Sequence, residues 1–257
     1  MSRIGALVER LLALEPPLLV ALDVDGTISP IVRDPDSARI PVATLSNLEA
    51  LARRPGIELA LISGRALSSL ARMEQLDGIW RAVEHGGLVI APGQSPAPRE
   101  LTHDRREALD LFRRWVETHA QDAFIEYKPQ AIALHVRAIA SKDPTRAAKL
   151  LDEADELAKK LGLHLRHGKG LREAEAVRHD KGSALEEIFK RSDASSVFFA
   201  GDDLTDFSAI EFAALHGVGA FVCSDEQRED PPASAMLLSS VDEVAQLLEQ
   251  LADRNSG

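Results

Sequence analysis

The sequence has little of several features that mark particular classes of protein. It contains a single cysteine, Cys223, so no disulfide can form within the chain, which fits a reducing compartment. No apolar run approaches the length needed to cross a bilayer. Positive charge is also scarce, because the formal net charge is −11 at pH 7 and the basic stripe of a nucleic-acid-binding protein is missing. We therefore expect neither a nucleic-acid nor a membrane partner.

The first residues do not have the pattern of a targeting segment. Their apolar side chains recur at helical spacing and form one stripe: Ile4, Leu7, Val8, Leu11 and Leu12. Charged Arg3, Glu9 and Arg10 lie outside that stripe, whereas a secretory segment has an unbroken, uncharged apolar centre. The sequence predicts a cytoplasmic protein that begins with a short docking helix.

The first third of the chain indicates an α/β fold. With 257 residues, the chain is near the upper limit for one hydrophobic core, so a large insert or a second domain is expected. Strands predicted at 18–24, 57–62 and 79–83 alternate with helices at 41–53 and 65–76. This alternation is typical of a parallel sheet with helices on both faces.

A different pattern follows the proline- and glycine-rich residues 91–98, which we interpret as a linker. Two helices (103–120 and 143–161) each precede a predicted hairpin, with strands at 123–128, 131–137, 162–167 and 171–177. The α/β pattern then resumes. We assign residues 1–99 and 177–257 to a doubly wound, mainly parallel core, and residues 100–176 to an inserted α+β domain.

Two carboxylates end the first apolar strand. Asp23 and Asp25 lie two residues apart after Leu18–Leu22, so they leave the strand on the same side. Carboxylates this close repel each other unless a cation lies between them, and a hard divalent cation is the usual one. With that cation, Asp23 could attack an electrophile while Asp25 transfers protons. An Asx-type turn, which needs only one aspartate, is the alternative interpretation.

Polar residues also end other predicted strands. Ser63-Gly64-Arg65 follows strand 57–62, and Gly201-Asp202-Asp203-Leu204-Thr205-Asp206 follows a strand at 196–200. Between them, Asp180-Lys181-Gly182 opens an amphipathic helix. Open α/β sheets bind ligands at the carboxyl ends of their strands, so we expect a phosphate or metal site there.

Several of these residues have a structural as well as a functional interpretation. Ser63, with the amides of Gly64 and Arg65, would bind phosphate oxygens, or Ser63 would only cap a helix. Lys181 opposes the dipole of the helix that it begins, which indicates a neighbouring anion such as phosphate; a solvated lysine is the alternative.

Asp203 and Asp206 are also open to two interpretations. They would orient Asp202 or metal-bound waters, or they would lie in a first helical turn, where the dipole favours acidic residues. We favour a mixture of the two, with Asp206 as the functional residue.

The insert places polar residues on one side of a predicted hairpin. Glu126 and Lys128 alternate on one strand, and His135 and Arg137 alternate on its partner. The strand at 171–177 would add Glu173. This face would contact a substrate, or it would be the solvated face of an antiparallel sheet.

Taken together, the motifs resemble a known family. Asp23-x-Asp25-Gly26-Thr27, Ser63-Gly64-Arg65, Lys181 and Gly201-Asp202-Asp203-x-x-Asp206 resemble, in order, the four motifs of the haloacid dehalogenase superfamily phosphatases. Further segments are similar to those of the trehalose-6-phosphate phosphatases: Glu84-His85-Gly86, Glu126-x-Lys128, His135-x-Arg137 and Asp180-Lys181-Gly182. The resemblance runs from about Leu18 to the C-terminus.

The resemblance implies a role for each motif. Mg²⁺ would be held by Asp23, the backbone carbonyl of Asp25, and Asp202. Asp23 would form an aspartyl-phosphate, Asp25 would act as acid and then base, and Lys181 would be the third catalytic residue. Phosphate would be bound by Thr27, Ser63, Gly64 and Arg65. The sugar would be bound by Glu84, His85, Glu126, Lys128, His135, Arg137 and Glu173. The fold implied is a Rossmann-like haloacid dehalogenase core with an α+β cap.

The chain departs from the family pattern at three positions. Glu175 and Ala176 replace a basic residue and a proline, and Phe207 replaces a glutamate. The leading hypothesis is a phosphatase acting on trehalose 6-phosphate. Alternatives are a phosphatase for sucrose phosphate or a glycosylglycerate phosphate, and a non-catalytic sugar-phosphate sensor. The resemblance also makes a trehalose-phosphate synthase a candidate partner.

Overall fold

The computed structural model describes residues 2–32, 34–97, 100–128, 130–168, 170–177, 179–223 and 230–253. Its helices are α1 (Arg3–Leu12), α2 (Val42–Ala52), α3 (Leu67–Leu70), α4 (His103–His119), α5 (Arg137–Ala140), α6 (Pro144–Lys160), α7 (Lys181–Arg191), α8 (Phe207–His216) and α9 (Val241–Asp253). Its strands are β1 (Leu18–Leu22), β2 (Ile57–Ile62), β3 (Trp80–Val83), β4 (Leu88–Ile90), β5 (Phe124–Tyr127), β6 (Ala131–His135), β7 (His164–Gly168), β8 (Leu171–Glu175), β9 (Ser196–Gly201), β10 (Gly217–Val222) and β11 (Met236–Leu238). Among the described residues, no helix is both long enough and apolar enough to cross a membrane.

The chain divides into two compact units, and residues 1–97 with 179–257 form the first. Its seven-stranded sheet has the order β11-β10-β9-β1-β2-β3-β4, in which only the pairing of β3 with β4 is antiparallel. Strand β1 lies at the centre, between β9 and β2. The predicted mainly parallel sheet is thereby confirmed.

Both faces of this sheet are covered, which explains why β1 is apolar throughout. Leu18, Val20 and Leu22 pack into one apolar cluster with residues of α1, α2 and α9. Leu19 and Ala21 pack into a second cluster with residues of α7 and α8. Because alternate residues of a strand point to opposite faces, a strand covered on both sides must be apolar at every position.

The second unit comprises residues 98–178 and contains a four-stranded antiparallel sheet with the order β5-β6-β8-β7. Ile132, Leu134 and Ala174 form one face of this sheet and share a core with Phe112 and Val116 of α4. The α4 helix begins at the Thr102 cap, and α6 begins at Pro144 after the Asp143 cap. This unit has the predicted order of helix, hairpin, helix, hairpin.

Two predicted elements are shorter in the structure, and two short strands were not predicted. The helix predicted at 65–76 is reduced to α3, because Ala66 is extended and the chain after Leu70 forms turns. The strand predicted at 131–137 ends at His135, and Arg137 instead begins α5. The short strands β4 and β11 were not predicted, since three residues carry too little periodicity to be recognised.

Candidate active site

Three neighbouring strands of the first unit deliver the candidate site residues at their carboxyl ends. Asp23 follows β1, Ser63 follows β2 and Asp202 follows β9. The ladder continues past β1, because the Asp23 amide donates to the Ala200 carbonyl at 2.9 Å. The predicted convergence therefore follows directly from the strand order β9-β1-β2.

A buried lysine links two of the carboxylates. The Lys181 Nζ atom lies 2.7 Å from Asp23 Oδ1 and 2.7 Å from Asp206 Oδ1. All three side chains are at most 5% exposed. Lys181 is the first residue of α7, whose start is set by a capping box between Asp180 and Ser183. The anion expected beside Lys181 is thus a pair of carboxylates, and the solvated-lysine interpretation is wrong.

The cluster has an excess of negative charge, since three carboxylates surround one ammonium. Burial raises the pKa of Asp23 to about 6, although Lys181 opposes the shift. Burial and the neighbouring Asp206 raise the pKa of Asp202 to about 7. Burial alone would lower the pKa of Lys181, but Asp23 and Asp206 more than offset this and hold it above its usual value. A bound cation would relieve the excess.

Carboxylate oxygens of Asp23, Asp202 and Asp206 all lie within 4.8 Å of one another. Asp206 is already engaged, because its Oδ2 accepts from the amides of Asp202 and Asp203 at 3.2 and 3.0 Å. Asp23 and Asp202 are therefore the carboxylates best placed to bind a cation. A set of oxygen donors with excess negative charge fits Mg²⁺.

Gly26 brings the loop after β1 close to Asp202. Its φ is +80°, and a Cβ built on it would lie 1.9 Å from Asp202 Oδ2. Any larger residue would displace the Asp202 carboxylate. The glycine is thus required by the close approach as well as by the backbone conformation.

Asp25 forms a bidentate ion pair with Arg65. Arg65 Nε donates to Asp25 Oδ2 at 2.6 Å, and Nη2 donates to Oδ1 at 2.7 Å. These hydrogen bonds raise the pKa of Arg65. The Arg65 amide also donates to Ser63 Oγ, at 3.1 Å. The Arg65 amide, which was predicted to bind phosphate, is therefore engaged within the protein, and the ion pair between Asp25 and Arg65 was not foreseen.

The remaining predicted phosphate ligands lie around the same strand ends. Thr27 is completely buried, and its Oγ1 has no hydrogen-bond partner among the described residues. Ser63 is also buried, and its amide donates to the Ala82 carbonyl at 2.8 Å. An orphaned buried hydroxyl is unfavourable unless a ligand satisfies it, so Thr27 is a candidate contact to a bound anion.

Glu84 and His85 form a strained turn against the Ser63 loop. Their φ values are +55° and +56°, which non-glycine residues rarely adopt. Their amides donate to the carbonyls of Arg65 and Ser63, and the His85 ring lies over Gly64, where a Cβ would be 2.5 Å from the ring. Such strain is frequently found at functional sites. No sequence pattern revealed it.

Asp203 and Asp206 divide the two roles between them. Asp203 is exposed and caps a short 3₁₀ turn by accepting from the Leu204 amide at 2.7 Å. Asp206 is buried and holds both Lys181 and the backbone that carries Asp202.

The second unit has a polar face opposite its helices, and we use that name for its charged and histidine side chains: Glu126, Lys128, His135, His164, Arg166, Glu173 and Glu175. Lys128 Nζ lies 2.5 Å from Glu173 Oε1, and His135 Nε2 lies 3.5 Å from Glu126 Oε2. The prediction that Arg137 shares a strand face with His135 is wrong, because the chain leaves β6 at Val136. Arg166 on this face was missed.

Comparison with known proteins identifies a family that the sequence motifs also resemble. The family model described as trehalose-phosphatase matches residues 21–254. An uncharacterized glycosyl hydrolase of Mycobacterium tuberculosis is 31% identical over 250 residues, which cover 91% of this chain and 18% of that protein. The trehalose-phosphate phosphatase of Mycobacterium ulcerans is 28% identical, over 94% of this chain and 63% of that protein. The chain thus spans less than two thirds of the length of these relatives.

Among solved structures, the trehalose-6-phosphate phosphatase of Aspergillus fumigatus aligns with a TM-score of 0.76 and 22% identity over 98% of each chain. This likeness confirms the predicted fold, including the parallel core and the separate antiparallel sheet.

Proposed function

Because this chain belongs to the trehalose-phosphatase family, we propose that it is an Mg²⁺-dependent phosphatase that hydrolyses trehalose 6-phosphate to trehalose and phosphate. The observation that carries the proposal is the cluster formed by buried Asp23 and Lys181 with half-buried Asp202, in which the two carboxylates lie at adjacent strand ends. It combines a carboxylate nucleophile, a fixed cation and a second metal-binding carboxylate.

Asp23 supplies the nucleophile. One carboxylate oxygen attacks phosphorus in line with the sugar oxygen, so an acyl-phosphate bond forms as the phosphorus–oxygen bond to the sugar breaks. Lys181 fixes the other oxygen, Oδ1, at 2.7 Å and orients the carboxylate. Bound Mg²⁺, held by Asp23, Asp202 and the Asp25 carbonyl, would neutralise the repulsion between the Asp23 carboxylate and the phosphate dianion.

Asp25 handles the protons of both steps. In its protonated form, with one of its two hydrogen bonds to Arg65 released, it would give a proton to the departing sugar oxygen, and the resulting carboxylate would take one from the water that opens the aspartyl-phosphate. Arg65 holds the Asp25 carboxylate by two hydrogen bonds, which orients it beside the nucleophile. Ser63, Gly64 and the orphaned Thr27 hydroxyl would take phosphate oxygens.

The polar face of the second unit would bind the sugar. Its carboxylates accept hydrogen bonds and its cations donate them, which suits an alternation of sugar hydroxyls. Glu126, Lys128, His135 and Glu173 are the residues of the second unit proposed for this role. For Glu84 and His85 of the first unit, the family resemblance implies a sugar-binding role as well. In this assignment residues 1–99 and 177–257 perform the chemistry, and residues 100–176 select the substrate.

Phosphate release from a panel of sugar phosphates, with Mg²⁺ and with EDTA, tests the proposal. We expect the highest kcat/KM on trehalose 6-phosphate. With EDTA, we expect no phosphate release from any of the sugar phosphates. Higher kcat/KM on sucrose phosphate or a glycosylglycerate phosphate would select that alternative substrate. Binding of the sugar phosphates without turnover of any would indicate the sensor instead.

The location and the partner follow from the same proposal. We place the protein in the cytoplasm, with its single cysteine in a reducing compartment. A trehalose-phosphate synthase is the proposed partner, since it would supply the substrate. Co-purification of the two proteins from cells tests this association.

A further inference from the structure

The left-handed turn at Glu84 and His85 lies against the loop that is proposed to bind phosphate, Ser63-Gly64-Arg65, which we call the phosphate loop. Neither turn residue is glycine, yet their φ values are +55° and +56°. A backbone conformation of this kind persists only where the surrounding contacts hold it in place. We therefore asked which contacts the turn makes to the loop.

The amides of the turn hold the phosphate loop on both sides of Gly64. The His85 amide donates to the Ser63 carbonyl at 3.0 Å. The Glu84 amide donates to the Arg65 carbonyl at 2.9 Å. The Ser63 carbonyl and the Gly64 amide belong to one planar, trans peptide, so they point in opposite directions. The hydrogen bond from His85 therefore fixes the direction of the Gly64 N–H group.

The Gly64 amide is available to a bound anion. The Ser63 amide donates to the Ala82 carbonyl at 2.8 Å, and the Arg65 amide donates to Ser63 Oγ at 3.1 Å. Gly64 is exposed, and its amide has no acceptor among the described residues. An N–H group that is already held in one direction can bind a phosphate oxygen without the cost of ordering it.

The ring of His85 restricts the same glycine. A Cβ built on Gly64 would lie 2.5 Å from Cε1 and 2.6 Å from Nε2 of the ring. The φ of Gly64 lies outside the left-handed region, so the ring, and not the backbone conformation, leaves no room for a larger residue. Because glycine has more backbone freedom than any other residue, a neighbouring ring removes freedom that the hydrogen bonds leave.

The turn also contacts the start of α7. Gly86 has a φ of +93°, and a Cβ built on it would lie 2.7 Å from the Asp180 carbonyl oxygen. Asp180 caps the helix that begins with the buried Lys181. The turn is therefore fixed between the phosphate loop and the helix start that carries this lysine, which explains how the strained conformation is maintained.

We propose that His85 is a positioning residue, which holds the Gly64 amide in the direction that binds the phosphoryl group. The inference rests on the proposed function, since it takes this loop as the phosphate site. It goes beyond the sugar contact that the family resemblance implies for His85. Positioning of the amide affects every phosphate ligand, whereas a sugar contact affects only ligands that carry the sugar.

The first test measures the affinity for inorganic phosphate, which carries no sugar. His85→Gly removes the ring and accepts the positive φ, so it should not disturb the fold. At saturating Mg²⁺, the inhibition constant of inorganic phosphate should rise about tenfold, the effect of losing one well-aligned hydrogen bond to a charged group. The kcat/KM values on trehalose 6-phosphate and p-nitrophenyl phosphate should fall by similar factors. An unchanged inhibition constant, or a loss on trehalose 6-phosphate alone, would overturn the proposal.

Asp193→Gly provides the matched control. Asp193 follows α7, is exposed and has a φ of +54°, so glycine relieves the same kind of backbone strain there. This substitution should leave the inhibition constant of phosphate and both kcat/KM values unchanged. Equal effects of the two substitutions would show that relief of strain alone is responsible, and they would reject a specific role for His85.

A double-mutant cycle tests the contact between the ring and Gly64. Gly64→Ala alone should raise the inhibition constant of phosphate about tenfold, because the methyl displaces the ring. In the His85→Gly background, the same substitution should change the constant less than threefold, since the methyl then has room. Losses that multiply would show that the two residues act independently, and they would contradict the proposal.

A binding measurement keeps this test separate from that of the proposed function. If none of the sugar phosphates is hydrolysed, the proposed function fails. Calorimetry then measures the affinity of the protein for inorganic phosphate at saturating Mg²⁺. Weaker phosphate binding in His85→Gly than in Asp193→Gly would still support the positioning role, and equal binding in the two variants would reject it.

Discussion

The two units hold their charged residues in different ways. In the first unit, Asp23, Lys181 and Asp206 are buried at strand ends, and carboxylates outnumber cations. On the polar face of the second unit, the cations stay partly exposed, and the Lys128 side chain is 39% exposed beside Glu173. An excess of buried charge favours a bound cation and fixed geometry, whereas accessible ion pairs favour reversible recognition of neutral hydroxyls.

The largest expected effect follows from removing the nucleophile of the first unit. Asp23→Asn keeps the size of the side chain but removes the attacking charge, so turnover should fall about 10⁴-fold or more, as for other nucleophile substitutions. This corresponds to about 5.5 kcal/mol of activation free energy. Steady-state phosphate release on trehalose 6-phosphate and p-nitrophenyl phosphate measures it.

An exposed aspartate provides the control for that measurement. Asp152→Asn on α6 should leave both activities unchanged. More than a tenth of wild-type activity in Asp23→Asn would exclude an aspartyl-phosphate on this residue and would place the chemistry elsewhere.

The metal site should be lost with its second carboxylate. Asp202→Ala should weaken Mg²⁺ binding more than about 100-fold, beyond the range found for groups that only support a metal ligand. Titration of EDTA-treated protein with Mg²⁺ measures this by calorimetry, independently of turnover. Asp203→Ala, which removes an exposed turn cap, is the matched control. Equal Mg²⁺ affinity in the two variants would contradict the role of Asp202.

Close packing around the metal site can be tested without changing any charge. Gly26→Ala places a methyl 1.9 Å from the present position of Asp202 Oδ2, so the carboxylate must move. We expect Mg²⁺ affinity to fall about 10- to 100-fold, as when a metal ligand loses its support. Gly78 has a similar φ, +72°, but a Cβ built on it would have no atom of the described residues within 4 Å, so Gly78→Ala should leave Mg²⁺ binding intact. Equal effects would indicate backbone strain instead of a steric contact.

Substitutions on the polar face should change substrate preference rather than the rate of phosphoryl transfer. Lys128→Ala removes a donor and leaves the nearly buried Glu173 without its ion-pair partner, so sugar binding should weaken by about 1–3 kcal/mol. The ratio of kcat/KM on trehalose 6-phosphate to that on p-nitrophenyl phosphate should therefore fall about 10- to 100-fold. Lys149→Ala, an exposed lysine of α6, should not change the ratio. An equal loss of kcat/KM on both substrates would show that this face is an ordinary solvated surface.

The sequence predicted residues whose position depends on local pattern, and it missed those that depend on distant partners. Asp23, Ser63 and Asp202 were predicted together because each follows an apolar strand, and strand ends of a parallel sheet converge. The ion pair between Asp25 and Arg65 joins residues 40 positions apart, and no periodicity encodes it. The same holds for Arg166 and Glu175, which are neighbours only through the register of β7 and β8.

Arg137 shows that alternation of polar and apolar residues does not predict where a strand ends. Alternation alone continued its strand to 137, but the ladder stops where the Val136 amide donates to the Gly170 carbonyl and the chain turns into α5. The left-handed turn at Glu84 and His85 was likewise not predicted, because glutamate rarely adopts a positive φ and the enrichment of histidine there is too weak to predict one. The family resemblance alone pointed to these two residues.

The smallest expected effect concerns pH and follows from the excess charge in the first unit. Because the pKa of Asp202 is about 7 and that of Asp23 is about 6 without metal, both carboxylates must release protons before they bind Mg²⁺. Lowering the pH protonates these two carboxylates and weakens Mg²⁺ binding. The apparent Kd for Mg²⁺ should therefore rise about tenfold as the pH is lowered from 8 to 6. Calorimetry at pH 6.5 in two buffers of different ionisation enthalpy should also detect proton release on binding.

The inhibition constant of free trehalose for p-nitrophenyl phosphate hydrolysis, measured at saturating Mg²⁺, serves as the comparison for the polar face and should change less over the same range. A Kd for Mg²⁺ that is constant from pH 8 to pH 6 would show that Asp23 and Asp202 are already fully ionised at pH 6, and that burial does not make the carboxylates of the first unit respond to pH differently from the polar face of the second.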